Sequence, residues 1–166
     1  MAGLAGRLSG AVGREGGGVA ELGGRFEEVL RSASSPEQLR ARLIDRARII
    51  AATEGVERSE LIGQDTIHLV LQEQRHAGFS FRPDYRVRYW ADGDAVAWEP
   101  VQPSNLLNRG RVVVRADGAG SLAQWSQQVS FEIAIPRMVI PMIRPVIDTI
   151  LAPSLRRLAT QLVEGG

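Results

Sequence analysis

A change of period at Pro136 constrains this chain more than any other feature. Phe131-Glu132-Ile133-Ala134-Ile135 alternates as a strand does, and Pro136 closes it. From Met138 to Val163 the spacing turns helical. Ile143, Ile147, Ile150, Leu151, Leu155, Leu158 and Leu162 fall on one side, while Arg144, Asp148, Arg156, Arg157 and Gln161 fall mainly on the other. Such a stripe must lie against something, and the large apolar surface on offer is the run of alternating segments before it. The expectation is a long C-terminal helix laid over an antiparallel sheet. Pro141 and Pro145 fall near its start, where a missing N–H is tolerated. Pro153 falls inside, at a cost of ~3 kcal/mol. Ala152 is a poor cap for a restarted helix, so one continuous, kinked helix is expected. Burial at ~1.5–3 kcal/mol per large aliphatic side chain offsets the proline.

The preceding chain supplies the sheet. Arg25 to Ala33 reads as a first strand. Ser35-Pro36-Glu37-Gln38 reads as a capping box opening a short helix with Leu39, Leu43 and Ile44 buried. Asp45 opens a second helix carrying Ile49 and Ile50, ended near Gly55. From Val56 the chain becomes strands divided by turns at Gly63-Gln64-Asp65, Asp92-Gly93 and Asp117-Gly118. In Thr66–Gln72, Ile67, Leu69 and Leu71 share one face, with His68 and Val70 on the other. Pro83, within a strand taken from Phe79 to Tyr89, marks a bulge or an edge. The fold class is therefore α+β, a curved antiparallel sheet of six to seven strands with two short helices after strand 1 and a long helix at the end.

At 166 residues the chain holds one domain and a tail. Residues 1–24 contain nine of eighteen glycines and are expected as a flexible extension, leaving 25–164 as the domain. Leu4, Leu8 and Val12 are spaced to share a helical face, which suits transient contact with a membrane surface or a protein. A net charge of +1 points to no nucleic-acid partner. The chain has no cysteine, so disulfides, thiolate catalysis and cysteine metal sites are excluded. A reducing, cytoplasmic setting fits this. The early arginines, with no acid before Glu15, also match a plastid transit pattern in a plant or algal host. No apolar run approaches the ~20 residues that span a bilayer, and Met138–Leu151 reads as core.

This order of elements resembles the START and Bet v 1-like (SRPBCC) superfamily, which includes polyketide cyclases and coenzyme Q-binding proteins. The resemblance covers about Arg25 to Glu164. Leu43-Ile44-Asp45, Phe79-Ser80-Phe81-Arg82-Pro83, Gly110 before a valine-rich strand, and Ile133-Ala134-Ile135-Pro136 look most like a group found in cyanobacteria and chloroplasts. The resemblance implies a helix-grip fold, with the sheet wrapped around the last helix and an apolar cavity between them. These are strand and turn patterns, so no catalytic role is carried over.

The residues themselves point the same way. No GxSxG, Walker A or strand-to-helix GxGxxG segment occurs. His68 and His76 lack carboxylates at ligand spacing, so neither a metal nor a cofactor is expected. Phe79, Phe81, Tyr85, Tyr89, Trp98, Trp125 and Phe131 all fall on strands, at positions compatible with one concave face. Val87, Val129, Ile147 and Leu151 complete the expected cavity lining, with Tyr89, Gln127 and His68 as the polar groups that orient a ligand. Arg86 and Arg88 alternate outward. Binding or carriage of an apolar or amphipathic small molecule (a lipid, isoprenoid quinone or pigment) is the expected function. Two alternatives stand beside it. One is a polyketide-cyclase-like enzyme pairing His68 with Tyr89 or Arg88 in that pocket, and the other is an interaction module docking through the tail.

Overall fold

The computed structural model describes residues 19–76 and 78–165. Strand β1 spans Val19–Ser32, and helices α1 (Pro36–Leu43) and α2 (Arg46–Ala52) follow it directly. Then come β2 (Val56–Ile62), β3 (Thr66–Leu71), β4 (Gln74–His76), β5 (Phe79–Phe81), β6 (Asp84–Asp92), β7 (Ala95–Val101), β8 (Leu106–Asp117) and β9 (Gly120–Ala134). A 3-10 turn at Arg137–Val139 leads into α3, Ile140–Glu164. Seven strands form one antiparallel sheet in the order β1-β9-β8-β7-β6-β3-β2, and β4 pairs with β5 apart from it. β1 and β2, which follow one another but for the two short helices, thus lie at opposite edges. α1 and α2 carry the chain across.

Local chemistry fixes these helices. Ser35 Oγ accepts from the Gln38 N–H while the Gln38 side chain accepts from the Ser35 N–H, the expected capping box. Asp45 accepts from the N–H groups of Ala47 and Arg48. Leu39, Leu43, Ile49 and Ala52 are buried against the inner face of the sheet. The outer face is laced with ion pairs, among them Arg88–Glu99, Arg111–Asp92 and Arg31–Asp117.

β1 begins at Val19, six residues before the expected Arg25, and so takes in part of the glycine-rich stretch. A Cβ on Gly23 would sit 2.1 Å from the Val129 carbonyl oxygen. Glycine there is demanded by close packing against β9. The helix-docking face expected at Leu4, Leu8 and Val12 lies outside the described residues. Pro83 does not bulge a strand: it separates the β4–β5 hairpin from β6.

α3 runs unbroken through Pro153 as expected, but Pro145 also lies inside it, beyond the first turn. The helix has two unlike halves. Its C-terminal half buries Leu155, Ala159, Leu162 and Val163 in the main core. Arg42 of α1 donates to the Val163 and Gly165 carbonyls at 3.1 and 2.7 Å, satisfying orphan groups at the helix end. Glu54 holds Arg157 through two hydrogen bonds at 2.5 and 2.8 Å, and Arg156 reaches Glu28 of β1 at 3.1 Å. The hydrogen bond from Arg157 also holds the Glu54 carboxyl below its ordinary pKa. The first half is different. Only Ile143 is buried there, while Met142 is 67% exposed and Met138, in the 3-10 turn just before the helix, 82%. The expectation that Met138–Leu151 is core is corrected. Met138, Met142 and Ile150 stand exposed, while Val139, Ile140, Ile143 and Ile147 pack in the smaller cluster and Leu151 against the main core.

Candidate functional site

The inner face of the sheet builds the site. Along β9 the residues Ala123, Trp125, Gln127 and Val129 all point inward and are buried. Asn108, Val112 and Val114 do the same on β8, Trp98 on β7, and Tyr85 and Val87 on β6. Gly110 sits directly across from Trp98, and a Cβ there would lie 2.3 Å from the indole. The missing side chain is the space the indole occupies.

Four polar groups form a chain through this apolar wall. The Trp98 Nε1–H donates to Asn108 Oδ1 at 2.9 Å, and the Gln127 Nε2–H donates to the same oxygen at 2.8 Å. The Trp125 Nε1–H donates to Gln127 Oε1 at 3.0 Å. Each buried indole N–H is thereby satisfied. The rings also pack on one another, with Tyr89 and Trp98 centroids 5.8 Å apart and those of Trp98 and Trp125 5.4 Å apart. Burial pushes the Tyr85 hydroxyl well above its ordinary pKa, and burial together with nearby Tyr85 does the same for Tyr89. Both remain neutral donors at ordinary pH.

A cavity of about 10 Å³ lies between this wall and the helices, lined by Tyr89, Trp98, Val112, Trp125 and Gln127 from the sheet. Leu43, Ile49, Leu158 and Leu162 close it from α1, α2 and α3. Tyr89 is the one ionisable side chain among these nine. The volume suits roughly one water molecule, whereas pockets for small-molecule ligands run to ~300–1,000 Å³. The expected hollow is thus almost filled between the described residues. Two indoles and a phenol, each able to bury ~150–250 Å², occupy it.

Of the residues expected to line a cavity, Tyr89, Trp98, Trp125 and Gln127 do so. Tyr85, Val87 and Val129 belong to the main core around it, with Leu151 packed at its margin. Phe79, Phe81, Phe131 and Ile147 are elsewhere, in a smaller cluster with Ala20, Leu22, Ile133, Ile135 and Ile143. There the β4–β5 hairpin reaches over to the first half of α3, and Phe81 stacks on Phe131 at 4.7 Å. His68 is not in the site. Its strand neighbours Ile67 and Leu69 point into the core, so alternation turns His68 outward. There its Nε2 lies 2.7 Å from Asp84 Oδ1, with a Glu60 carboxylate 3.8 Å from Nδ1. Arg88 is likewise outward, paired with Glu99. The acid–base pair of His68 with Tyr89 or Arg88 is therefore not assembled. Asn108, the acceptor at the centre of the polar chain, was not anticipated. Its place in the inward series with Gly110, Val112 and Val114 is the signal that could have found it.

A seven-stranded antiparallel sheet closed over a long C-terminal helix, with two short helices after the first strand, is a helix-grip fold. It is the fold of the START and Bet v 1-like superfamily. The structure is similar to the aromatase/cyclase Zhui from Streptomyces sp. R1128, with a TM-score of 0.62 at 10% identity over 84% of this chain and 90% of that one. It is also similar to a START superfamily protein from Mycobacterium smegmatis, with a TM-score of 0.58 at 13% identity, covering 84% and 96%. A STAR-related lipid transfer protein from Xanthomonas axonopodis matches with a TM-score of 0.52 at 17% identity, covering 95% and 98%. No family model matches the sequence, and no curated protein does. At these identities the likeness is one of fold.

Proposed function

We propose that the protein binds an apolar or amphipathic small molecule between the inner face of the sheet and α3. The observation that carries this reading is the Trp125–Gln127–Asn108–Trp98 chain, set with Tyr89 in an otherwise apolar wall beside a small cavity. A few placed polar groups in an apolar concavity give a ligand both affinity and orientation. The guest is accommodated by movement, since about 10 Å³ holds no organic molecule. The division of the core supplies that movement. The C-terminal half of α3 is held by Arg42, Glu54 and the main core, whereas its first half and the β4–β5 hairpin share the smaller cluster, with Leu151 at the middle of the helix reaching the margin of the main core. Lifting them uncovers a handful of apolar side chains at ~1.5–3 kcal/mol each, which a guest burying the same faces offsets. A lipid, a quinone or a pigment would all satisfy this chemistry.

Intrinsic fluorescence tests it, because Trp98 and Trp125 line the cavity and Trp90 stands on the other face of β6. In the Trp90→Phe protein, an environment-sensitive apolar dye should quench both remaining indoles and be displaced by material extracted from the freshly purified protein into organic solvent. A dye that binds without changing either indole, or an extract that displaces nothing, rules the reading out.

A further inference from the structure

The two edges of the sheet are not equivalent. β1 has α3 beside it, with Arg156 of the helix on Glu28 at 3.1 Å. β2 pairs with β3 on one side, and no described strand pairs with its other side. Every residue from Glu57 to Asp65 is exposed, Leu61 at 51% and Ile62 at 38%. A free edge is a row of unpaired N–H and C=O groups, ready to take another strand. This one is held in place, since Arg46 of α2 donates to the Gly63 carbonyl at 3.0 Å and the register with β3 runs unbroken from Arg58 to Ile62.

The charges on this edge indicate what it takes. Arg58, Glu60 and Ile62 lie on the outer face with their partners Val70, His68 and Thr66, whereas Ser59 and Leu61 share the inner face with Leu69 and Ile67. Glu57 is held by Arg82 at 3.3 Å, and Glu60 has the His68 ring at 3.8 Å. Arg58 has no acid within 4.0 Å among the described residues. A second copy brought to the edge about a two-fold axis normal to the sheet keeps each side chain on its own face, so facing residues must share a face. Centring the pairing on Arg58 or on Glu60 sets like charges against each other, which repel. Centring it on Leu61 sets the Glu60 carboxylate against Ile62. Centring it on Ser59 makes Arg58 of each copy face Glu60 of the other, two opposite-charge pairs related by the axis.

We propose that two copies of the chain pair antiparallel through β2 about Ser59, joining their seven-stranded sheets edge to edge in a symmetric dimer. The irregularity between Val56 and Arg58 ends the paired stretch. The contact is therefore short, and a contact of that size makes a weak, reversible dimer. It needs no ligand and stands apart from the cavity, none of whose lining residues is on β2.

Sedimentation of the full chain from micromolar to millimolar concentration tests this, and should show a monomer–dimer equilibrium. Arg58→Glu sets carboxylates against carboxylates, and Glu60→Arg sets guanidinium groups against guanidinium groups. Each should raise the dissociation constant about tenfold. An equimolar mixture of these two variants should associate as the unaltered chain does, and so should the double variant Arg58→Glu with Glu60→Arg, because both restore opposite charges at both positions. Both side chains are exposed, and far-ultraviolet dichroism checks that each variant is folded. Facing Cα atoms of an antiparallel pair lie ~4.5–5.5 Å apart, within reach of a disulfide, and no native cysteine competes. Ser59→Cys should therefore oxidise to a covalent dimer about tenfold faster than Leu61→Cys. A chain that stays monomeric, charge variants that associate like the unaltered chain, or Leu61→Cys linking as fast as Ser59→Cys would each overturn the proposal. So would growth beyond a dimer, which means β2 meeting β1 of the next copy in an open array.

Discussion

Asn108 Oδ1 accepts from two buried donors at once, and that makes one amide the point on which the inner wall depends. Asn108→Leu keeps the volume but strands the Trp98 indole N–H and the Gln127 amide. Each buried donor left unpaired costs about 1–3 kcal/mol, so chemical denaturation should show a loss of that order. Adding Gln127→Leu removes one of the stranded donors, and the double variant should lose less than the sum of the singles. Strict additivity would mean that the two side chains do not share the oxygen. Gly110 depends on its neighbour in the opposite way. A methyl group there meets Trp98 at 2.3 Å and the Ser126 carbonyl oxygen at 2.6 Å, and the backbone atom has nowhere to go. Gly110→Ala should cost about 1–3 kcal/mol through overpacking. It should also shift the near-ultraviolet circular dichroism of the indoles, which an ordinary surface substitution would leave alone.

At the scale of elements, α3 keeps two prolines in its interior, and they cost it hydrogen bonds without terminating it. Pro153 is exposed, so its ring contributes little packing. Pro153→Ala restores an N–H to the Thr149 carbonyl and should stabilise the protein by ~1–3 kcal/mol. For a chain of this size that raises Tm by roughly 2–4 °C per kcal/mol, and a fall in Tm would mean that a bend at Pro153 is needed for packing. The two short helices and the hairpin turns were legible beforehand because their causes are local: the Ser35–Gln38 box, the Asp45 cap, Asp92-Gly93. The period change at Pro136 likewise announced α3 and its apolar stripe. Other features have causes far away in the chain. Gly23 reads as slack in isolation and as close packing only once Val129 lies across from it. Phe79 and Phe81 read as part of the strand holding Tyr85, yet Pro83 releases them into a hairpin that packs on α3. That the hollow is nearly filled depends on how three rings nest, which alternation does not encode.

Considered whole, the molecule has an interior in two parts, a large core under the fixed half of α3 and a small one under the free half, and its tyrosines report on the first. The chain contains two, Tyr85 and Tyr89. Tyr85 is buried at 6% exposure, and Tyr89 is half-buried against Trp98. In both, burial raises the pKa above the ordinary value near 10 because the phenolate would lose its hydration. The sign of the linkage follows. Below pH ~10 both folded and unfolded chains carry neutral phenols, and the tyrosines add no pH dependence. Above it the unfolded chain ionises while the folded one does not, so stability falls steadily as pH rises through the gap between the two values. The expected outcome is that phenolate absorbance stays silent past pH ~10 and then appears together with the loss of far-ultraviolet dichroism, in one transition. Tyr89→Phe should remove half of the absorbance and move that transition to higher pH, since one of the two groups driving it is gone. A guest bound beside Tyr89 should move it higher still, because it stabilises only the folded chain. If absorbance instead rises smoothly near pH 10 while the dichroism is unchanged, water reaches the phenols in the folded state, and the wall is more open than its packing implies.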